Sequence, residues 1–284
     1  MKILIAVIAL GVNVFPLAFA SGQTLTVKVS DTLLGLNQKW AEAYKTKHPA
    51  AAIQVTGDGT AAAFGTLAEK KADLVLVSRA MRYKEAQACE AAFGRRPAEG
   101  KVAVSGLAVY VNTNNPVKVL TYDELYEIFR GQTKNWKELD GGQDQAISIY
   151  AQATNFVHGE LFNEEVLSGN GFSAETHFLT GLDVLKAVAA DPNAIGFGAL
   201  APAEGVQPLS IKRARSSTPV SPTEDNIARR IYPISRYVYS YSNPAANNAD
   251  EIKAYLDWIR SDEGQQVAKE AGFYALPATL RSSQ

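Results

Sequence analysis

The sequence predicts an α/β protein of two lobes that are joined by two crossovers. The chain has 284 residues, which is long for one compact core and suits two lobes of roughly 100–150 residues each. From residue 24, strand-like segments alternate with helix-like segments, a pattern typical of a parallel sheet. Two longer β-rich runs, at 101–112 and 231–242, are long enough to carry the chain from one lobe to the other and back.

Three strand–turn–helix units open this pattern. The strands are predicted at 24–29, 52–55 and 73–77, where β-branched residues are frequent. A helix follows each strand: the first has Leu33, Leu36, Trp40 and Tyr44 at helical spacing, and the others span 61–71 and 83–93. Because ligands bind at the carboxyl ends of parallel strands, we expect the turns of these units to form a site.

The second half repeats the alternation less regularly. Leu125, Ile128 and Phe129 mark a helix, and further helices are predicted at 159–167 and 183–190. Short strands are predicted at 146–150 and 194–199, and 250–272 is predicted as one amphipathic helix. We therefore predict a first lobe formed by 21–107 and 236–284, and a second lobe formed by 108–235.

The first twenty residues have the pattern of a cleaved signal peptide. Lys2 precedes the apolar run 3–10, and the small-residue motif 18–20 predicts cleavage after Ala20. A membrane anchor is the alternative, but Asn13 and Pro16 interrupt the run before the ~20 residues of a span. We expect a periplasmic or secreted protein.

Composition and motifs exclude several functions. A net charge of −1 gives no basic face for nucleic acid. The histidines (His48, His158 and His177) lack the spacing of a zinc site, and no phosphate-binding P-loop or nucleophile elbow is present. We therefore expect no enzyme, metal or cofactor. Cys89 is the only cysteine and is predicted to be a buried thiol.

The turns of the three units contain hydroxyl groups and one arginine. They contribute Ser30 and Thr32, then Thr60, then Ser78 with Arg79. Helix N-termini bind anions through free N–H groups and the helix dipole, and an arginine fork suits an oxyanion. The alternative is that these residues are helix N-caps and a surface arginine.

Several segments, in order, resemble the phosphate-binding solute receptors of phosphate ABC transporters, within the type II periplasmic binding proteins. The similar segments are SDTLLGLNQKWAEAYKTKHPAAAIQVTGDGT (30–60), DLVLVSRAM (73–81), GLAVYVNTNNPVKVLTYDELYEIFRGQTKNWKEL (106–139), DPNAIGFGAL (191–200), YPISRYVYSYSN (232–243) and IRSDEGQQVAKEAGFYALP (259–277). The resemblance implies two lobes with a ligand cleft between them and two hinge crossovers. It also implies a monomer that captures phosphate or a related small inorganic oxyanion and delivers it to the transporter's membrane subunits.

The resemblance implies specific ligand residues. Thr32, Thr60, Ser78 and Arg79 match the donors of the first lobe, with Thr60 where the family usually has serine. A buried carboxylate near the ligand would favour an anion that bears a proton, and Asp31 and Asp58 are the candidates.

The sequence departs from the family at two places. Ala61 and Ala63 replace two glycines, and each added Cβ is expected to crowd a ligand. In the second lobe Gln152 stands in place of an arginine, and no Ser-Gly-Thr loop follows. The remaining candidates there are Gln152, Thr154, Asn155 and His158, which adds a positive charge if it is protonated near pH 6.5. The alternative function is therefore an interaction or sensory module that keeps the fold but has lost phosphate transport.

Overall fold

The computed structural model describes residues 24–281, so the predicted signal peptide lies outside the described residues. The described chain is mixed α/β, with two five-stranded sheets and a separate two-stranded sheet. None of its helices within 24–281 is long and apolar enough to cross a membrane.

The first part of the chain builds most of one five-stranded sheet. Its elements are β1 (Leu25–Val29), α1 (Leu34–Lys47), β2 (Ile53–Gly57), α2 (Thr60–Ala68), β3 (Leu74–Val77), α3 (Tyr83–Phe93) and β4 (Ala98–Gly106). β1 lies between β2 and β3 and is parallel to both. The predicted parallel strand–helix units are therefore confirmed, and the carboxyl ends of three neighbouring strands meet at one edge of the sheet.

The β-rich run predicted as a crossover divides between two sheets. β4 ends at Gly106 in the first sheet, and β5 begins at Ala108 in the second. The second part of the chain then forms β5 (Ala108–Asn112), β6 (Val119–Thr121), α4 (Tyr122–Phe129), β7 (Ser148–Ala151), α5 (Val157–Glu165), β8 (His177–Phe178), α6 (Gly181–Ala190), β9 (Ala194–Gly198), β10 (Val206–Pro208), β11 (Ser210–Lys212) and α7 (Glu224–Ala228). The order in the second sheet is β10-β5-β9-β7-β8, and β6 pairs with β11.

The chain returns to the first sheet through β12 (Ser235–Ser242), which is antiparallel to its neighbours β3 and β4. The first sheet therefore has the order β2-β1-β3-β12-β4. The two crossovers touch where they leave the sheets, because the N–H of Leu107 donates to the carbonyl oxygen of Ile234 at 3.3 Å. We call the part built on the first sheet lobe 1 and the part built on the second sheet lobe 2.

The single helix predicted at 250–272 is wrong. The segment forms two helices, α8 (Ala249–Arg260) and α9 (Asp262–Glu270), separated at Ser261. Ser261 has an extended backbone with ψ of 165°, and its hydroxyl accepts from the N–H of Gly264 as the N-cap of α9. A serine cap inside an amphipathic pattern ends one helix and begins another.

Each lobe has its own apolar core, and these cores fix the helices that border the site. In lobe 1 the indole of Trp40 on α1 is fully buried and donates to the carbonyl oxygen of Gly264 at 2.7 Å. In lobe 2 the ring of Phe162 on α5 stacks on Phe197 with 4.3 Å between centroids. Cys89 is buried and unpaired, as predicted.

Candidate functional site

Three hydroxyl groups meet at the carboxyl edge of the first sheet. Oγ of Ser30 lies 2.6 Å from Oγ1 of Thr60, which lies 3.4 Å from Oγ of Ser78. The N–H of Ser78 donates to Oγ of Ser30 at 3.2 Å. These residues follow β1, β2 and β3, so the parallel pairing of the strands brings them together.

The alternative that these hydroxyls are helix N-caps is wrong. Ser30 precedes a short 3₁₀ turn, Asp31–Leu33, and its side chain makes no capping bond. The N-cap residues of α1 and α2 are Leu33 and Gly59, so Thr60 is the first residue of α2 and its hydroxyl is free to face the turn. The hydroxyls therefore bond to one another and to a group from the other lobe.

That group is the carboxylate of Glu160, which lies in the first turn of α5 in lobe 2. Its Oε2 accepts from the hydroxyl of Thr32 at 2.5 Å, and its Oε1 accepts from the hydroxyl of Ser78 at 3.2 Å. Hydrogen bonds to a charged acceptor are worth about 1.5–3 kcal/mol each. We call Ser30, Thr32, Thr60 and Ser78 the hydroxyl cluster; one carboxylate from lobe 2 joins two of its members.

A buried arginine supports this carboxylate from behind. Arg236, on β12 at the second crossover, is 5% exposed. Its Nη2 lies 3.2 Å from Oε2 of Glu160, and its Nη1 pairs with the carboxylate of Glu164 one helical turn further along α5. Within residues 24–281 its Nε has no hydrogen-bond partner. Arg236 is therefore linked to the hydroxyl cluster through Glu160.

Sequence reasoning missed Glu160 and Arg236. An acidic residue in the first turn of a helix is ordinary, since it interacts favourably with the dipole. An arginine in the middle of a β-rich run was the only available signal, because a charged residue in a buried strand needs a partner.

Arg79, the predicted first-lobe cation, is engaged elsewhere. Its Nη1 and Nη2 donate to the two carboxylate oxygens of Glu85 at 2.8 and 2.7 Å, and its guanidinium lies 5.4 Å from the ring centre of Phe64. The hydrogen bond with Glu85 raises the pKa of Arg79 above its usual value. Arg79 thus follows Ser78 of the hydroxyl cluster in the sequence, but its guanidinium is paired with Glu85 on α3.

The predicted carboxylates are not buried. Asp58 is exposed and pairs with Nζ of Lys28 at 2.6 Å. Asp31 is exposed and lies over the end of β2, where a Cβ added at Gly57 would be 2.8 Å from its Oδ1. The expectation of a buried aspartate beside the ligand is therefore wrong for both, and the carboxylate among the hydroxyls is Glu160.

The predicted second-lobe donors do not join the hydroxyl cluster. Gln152 and His158 line a mainly apolar cavity of ≈ 360 Å³ together with Phe156. Thr154 and Asn155 are exposed on the turn before α5. Desolvation lowers the pKa of His158 to about 4, so the imidazole is neutral near pH 7. The condition under which His158 would add a positive charge, protonation near pH 6.5, is therefore not met.

The two alanines predicted to replace family glycines have different environments. Ala63 is fully buried in the core beside Phe64 and Leu67, so its Cβ faces the lobe interior. The expectation that Ala63 crowds a ligand is therefore wrong. Ala61 is exposed. Among residues 24–281 no group of three His, Cys, Asp or Glu side chains is arranged to hold a metal ion.

Glycine at 159 sets the position of Glu160. A Cβ there would lie 2.1 Å from the carbonyl oxygen of Ala153 and 2.4 Å from that of Gln152. Only glycine allows α5 to begin this close to the preceding turn. The close approach fixes where the next residue, Glu160, meets lobe 1.

Comparison with known proteins agrees with this architecture. The family model described as a PBP superfamily domain matches residues 18–263. The phosphate-binding protein PstS of Pseudomonas aeruginosa is 32% identical over 268 residues, which cover 88% of this chain and 82% of that protein. The PstS of Bacillus subtilis is 30% identical over 263 residues, covering 92% and 82%.

Solved structures show the same fold. An ABC-type phosphate transport receptor from Vibrio cholerae superposes with a TM-score of 0.72 at 25% identity, covering 89% of this chain and all of that one. A possible phosphate binding protein from Planctomyces limnophilus has a TM-score of 0.81 at 24% identity, covering 92% and 96%. The predicted type II fold, with two lobes, two hinge crossovers and a cleft between the lobes, is confirmed. The chain belongs to the PBP superfamily and, within it, to the PstS family, whose members are solute-binding receptors and not enzymes.

Proposed function

We propose that this protein binds phosphate, or a related small inorganic oxyanion, on the hydroxyl cluster and delivers it to the membrane subunits of an ABC transporter. The names of the relatives support this ligand and this partner. We also propose that it is a monomer and acts outside the cytoplasmic membrane, which it reaches through the predicted signal peptide.

The observation that carries the proposal is the convergence of four hydroxyl side chains, two of which donate to the carboxylate oxygens of Glu160. Thr32 and Ser78 each donate to one oxygen of a carboxylate, which is the arrangement that two oxygens of a bound oxyanion require. Thr60 adds a hydroxyl at the N-terminus of α2, where the helix dipole favours negative charge.

We assign the ligand contacts to Thr32, Thr60 and Ser78, as predicted, and add Ser30. Arg79 stays in the proposal as a neighbour of Ser78 that becomes available if its pair with Glu85 opens. Asp31 and Asp58 are proposed only as exposed groups at the rim. Gln152, Thr154, Asn155 and His158 are left out, because they face the apolar cavity or solvent.

The division into lobes at 107/108 and 235/236 is proposed as the hinge of this receptor. The hydrogen bond between Leu107 and Ile234 supports it, because both crossovers pass through that point. The alternative of an interaction or sensory module has weaker support, since the relatives' names describe phosphate binding and transport.

Titration calorimetry on protein freed of bound ligand tests the proposal, with phosphate, arsenate, sulfate and molybdate. Thr60→Val removes one hydroxyl from the cluster at constant shape. We expect at least about tenfold weaker phosphate binding, because a hydrogen bond to a charged group is worth roughly 1.5 kcal/mol or more.

Thr66→Val is the matched control. Thr66 lies on the same helix, but its hydroxyl donates to the carbonyl oxygen of Ala62 on the exposed side. We expect unchanged affinity in this variant. Equal affinities of Thr60→Val and the unaltered protein, or no heat with any anion, would refute the proposed site.

A further inference from the structure

We propose that Glu160 is a built-in occupant of the oxyanion site, which an incoming anion must displace. Its carboxylate takes the hydroxyl donors that we assign to the anion and links the two lobes. This inference rests on the proposed function and adds to it a competitor for the same donors.

The first support is the chemistry of the contacts. Both carboxylate oxygens of Glu160 accept hydrogen bonds from lobe 1, one from the hydroxyl of Thr32 and one from the hydroxyl of Ser78. Each hydroxyl has a single proton to donate, so a donor that bonds Glu160 is not available to an oxyanion. Carboxylate and anion also repel each other at hydrogen-bond distance in a cleft of low dielectric. The two therefore compete for one place.

The second support is the arginine behind the carboxylate. Arg236 is 94% buried at its side chain and faces two carboxylates, of Glu160 and Glu164. If Glu160 leaves, Glu164 still neutralises the guanidinium, and the arriving anion restores the second negative charge. Among the residues from 24 to 281, none bonds to the Nε of Arg236, so the guanidinium has donor capacity left over.

The third support is the position of Glu160 across the cleft. Thr32 and Ser78 belong to lobe 1, and Glu160 belongs to α5 of lobe 2. The same carboxylate therefore fills the site and holds the lobes together. Removing it is expected both to free the donors and to loosen the closed arrangement, and these two effects are measured separately.

Calorimetric titration with inorganic phosphate compares Glu160→Ala with Glu164→Ala. Both variants lose one negative charge beside Arg236, but only Glu160 contacts the hydroxyls. We expect Glu160→Ala to bind phosphate at least roughly tenfold more tightly than the unaltered chain, because two charge-assisted hydrogen bonds no longer compete. Glu164→Ala is expected to stay within about threefold of the unaltered chain, as a partner exposed to solvent contributes little.

Glu160→Gln, which keeps the size of the side chain, guards against misfolding of the alanine variant and is expected to bind more tightly as well. Unchanged or weaker phosphate binding in both Glu160 variants overturns the inference. Weaker binding in particular means that Glu160 accepts the proton of the ligand instead of competing with it.

Small-angle X-ray scattering of the anion-free proteins gives the second readout. We expect a larger radius of gyration for Glu160→Ala than for the unaltered protein and Glu164→Ala. Equal radii overturn the inference. If no variant binds phosphate, the proposed function fails, and the scattering still decides whether Glu160 holds the lobes together.

Discussion

Replacing Arg236 by methionine tests whether its ion pairs with Glu160 and Glu164 stabilise the fold. Methionine has a similar length but no charge, so the change removes the cation that faces Glu160 and Glu164. Both carboxylates then lose this counter-charge, next to a strand in which residue 236 is 5% exposed.

The expected loss of stability follows from the burial of each partner. The side chain of Glu160 is 19% exposed and that of Glu164 is 38% exposed. Breaking a buried ion pair by removing one partner costs about 3 kcal/mol or more, whereas a solvent-exposed pair contributes less than about 1 kcal/mol. We therefore expect Arg236→Met to lower the free energy of unfolding by about 3–4 kcal/mol.

Urea unfolding at pH 7 measures this loss, and two further variants show its origin. Arg229→Met removes an exposed arginine that lies 3.5 Å from Asp225, and we expect a change below about 0.5 kcal/mol. In the double variant Arg236→Met with Glu160→Gln, most of the loss should be recovered, because removing both charges of a buried pair is often nearly neutral. A cost below about 1 kcal/mol for Arg236→Met, or no recovery in the double variant, would refute this account of the pair.

Two further predictions concern the start of α5. Gly159→Ala places a Cβ 2.1 Å from the carbonyl oxygen of Ala153. We therefore expect the free energy of unfolding, measured by heat or urea, to fall by about 1–3 kcal/mol, and the radius of gyration in scattering to rise as the interlobe contact weakens. No change in either would show that the start of the helix relaxes freely. His158 has a folded pKa of about 4 against about 6.5 when unfolded, so the unfolded chain binds more protons between these values and stability falls as pH drops from 6.5 to 4. We expect up to about 3 kcal/mol of this fall to be absent in His158→Leu, and an equal fall in both proteins would contradict the assignment.

Local pattern was sufficient for the elements of lobe 1. β1, β2 and β3 are short β-branched strands, each followed by a polar turn and an apolar-periodic helix, and parallel pairing follows from that order. The predicted helix 83–93 has the bounds that the structure shows for α3. Pattern failed at 250–272, because Ser261 interrupts a helix without interrupting the apolar spacing that continues on both sides of it.

The hydroxyl half of the site was also predictable, for the same reason. Ser30 and Ser78 directly follow β1 and β3, and Thr60 lies three residues after β2, so their meeting is a consequence of sheet topology. Glu160 and Arg236 were not predictable in this way. Glu160 on α5 and Arg236 on β12 contact each other although they are 76 residues apart in the sequence. This contact depends on how the two lobes close.

The charges around the cleft explain why a competitor is needed. Lys28 pairs with Asp58, Arg79 with Glu85, and Arg236 with both Glu160 and Glu164, so these groups supply no surplus positive charge. Gln152, which the resemblance predicts to stand in place of the family's second-lobe arginine, faces the apolar cavity instead.

An oxyanion that simply entered this cleft would add negative charge beside a carboxylate. The cost disappears only if Glu160 moves into solvent, where its charge is hydrated, while Arg236 keeps Glu164. The anion then inherits the hydroxyls of Thr32 and Ser78, the N-terminus of α2 and the field of Arg236. The net affinity for the oxyanion is set by the difference between two free energies: that of the donors binding the oxyanion and that of the same donors binding the Glu160 carboxylate. The chain without Glu160 should therefore bind the oxyanion more tightly.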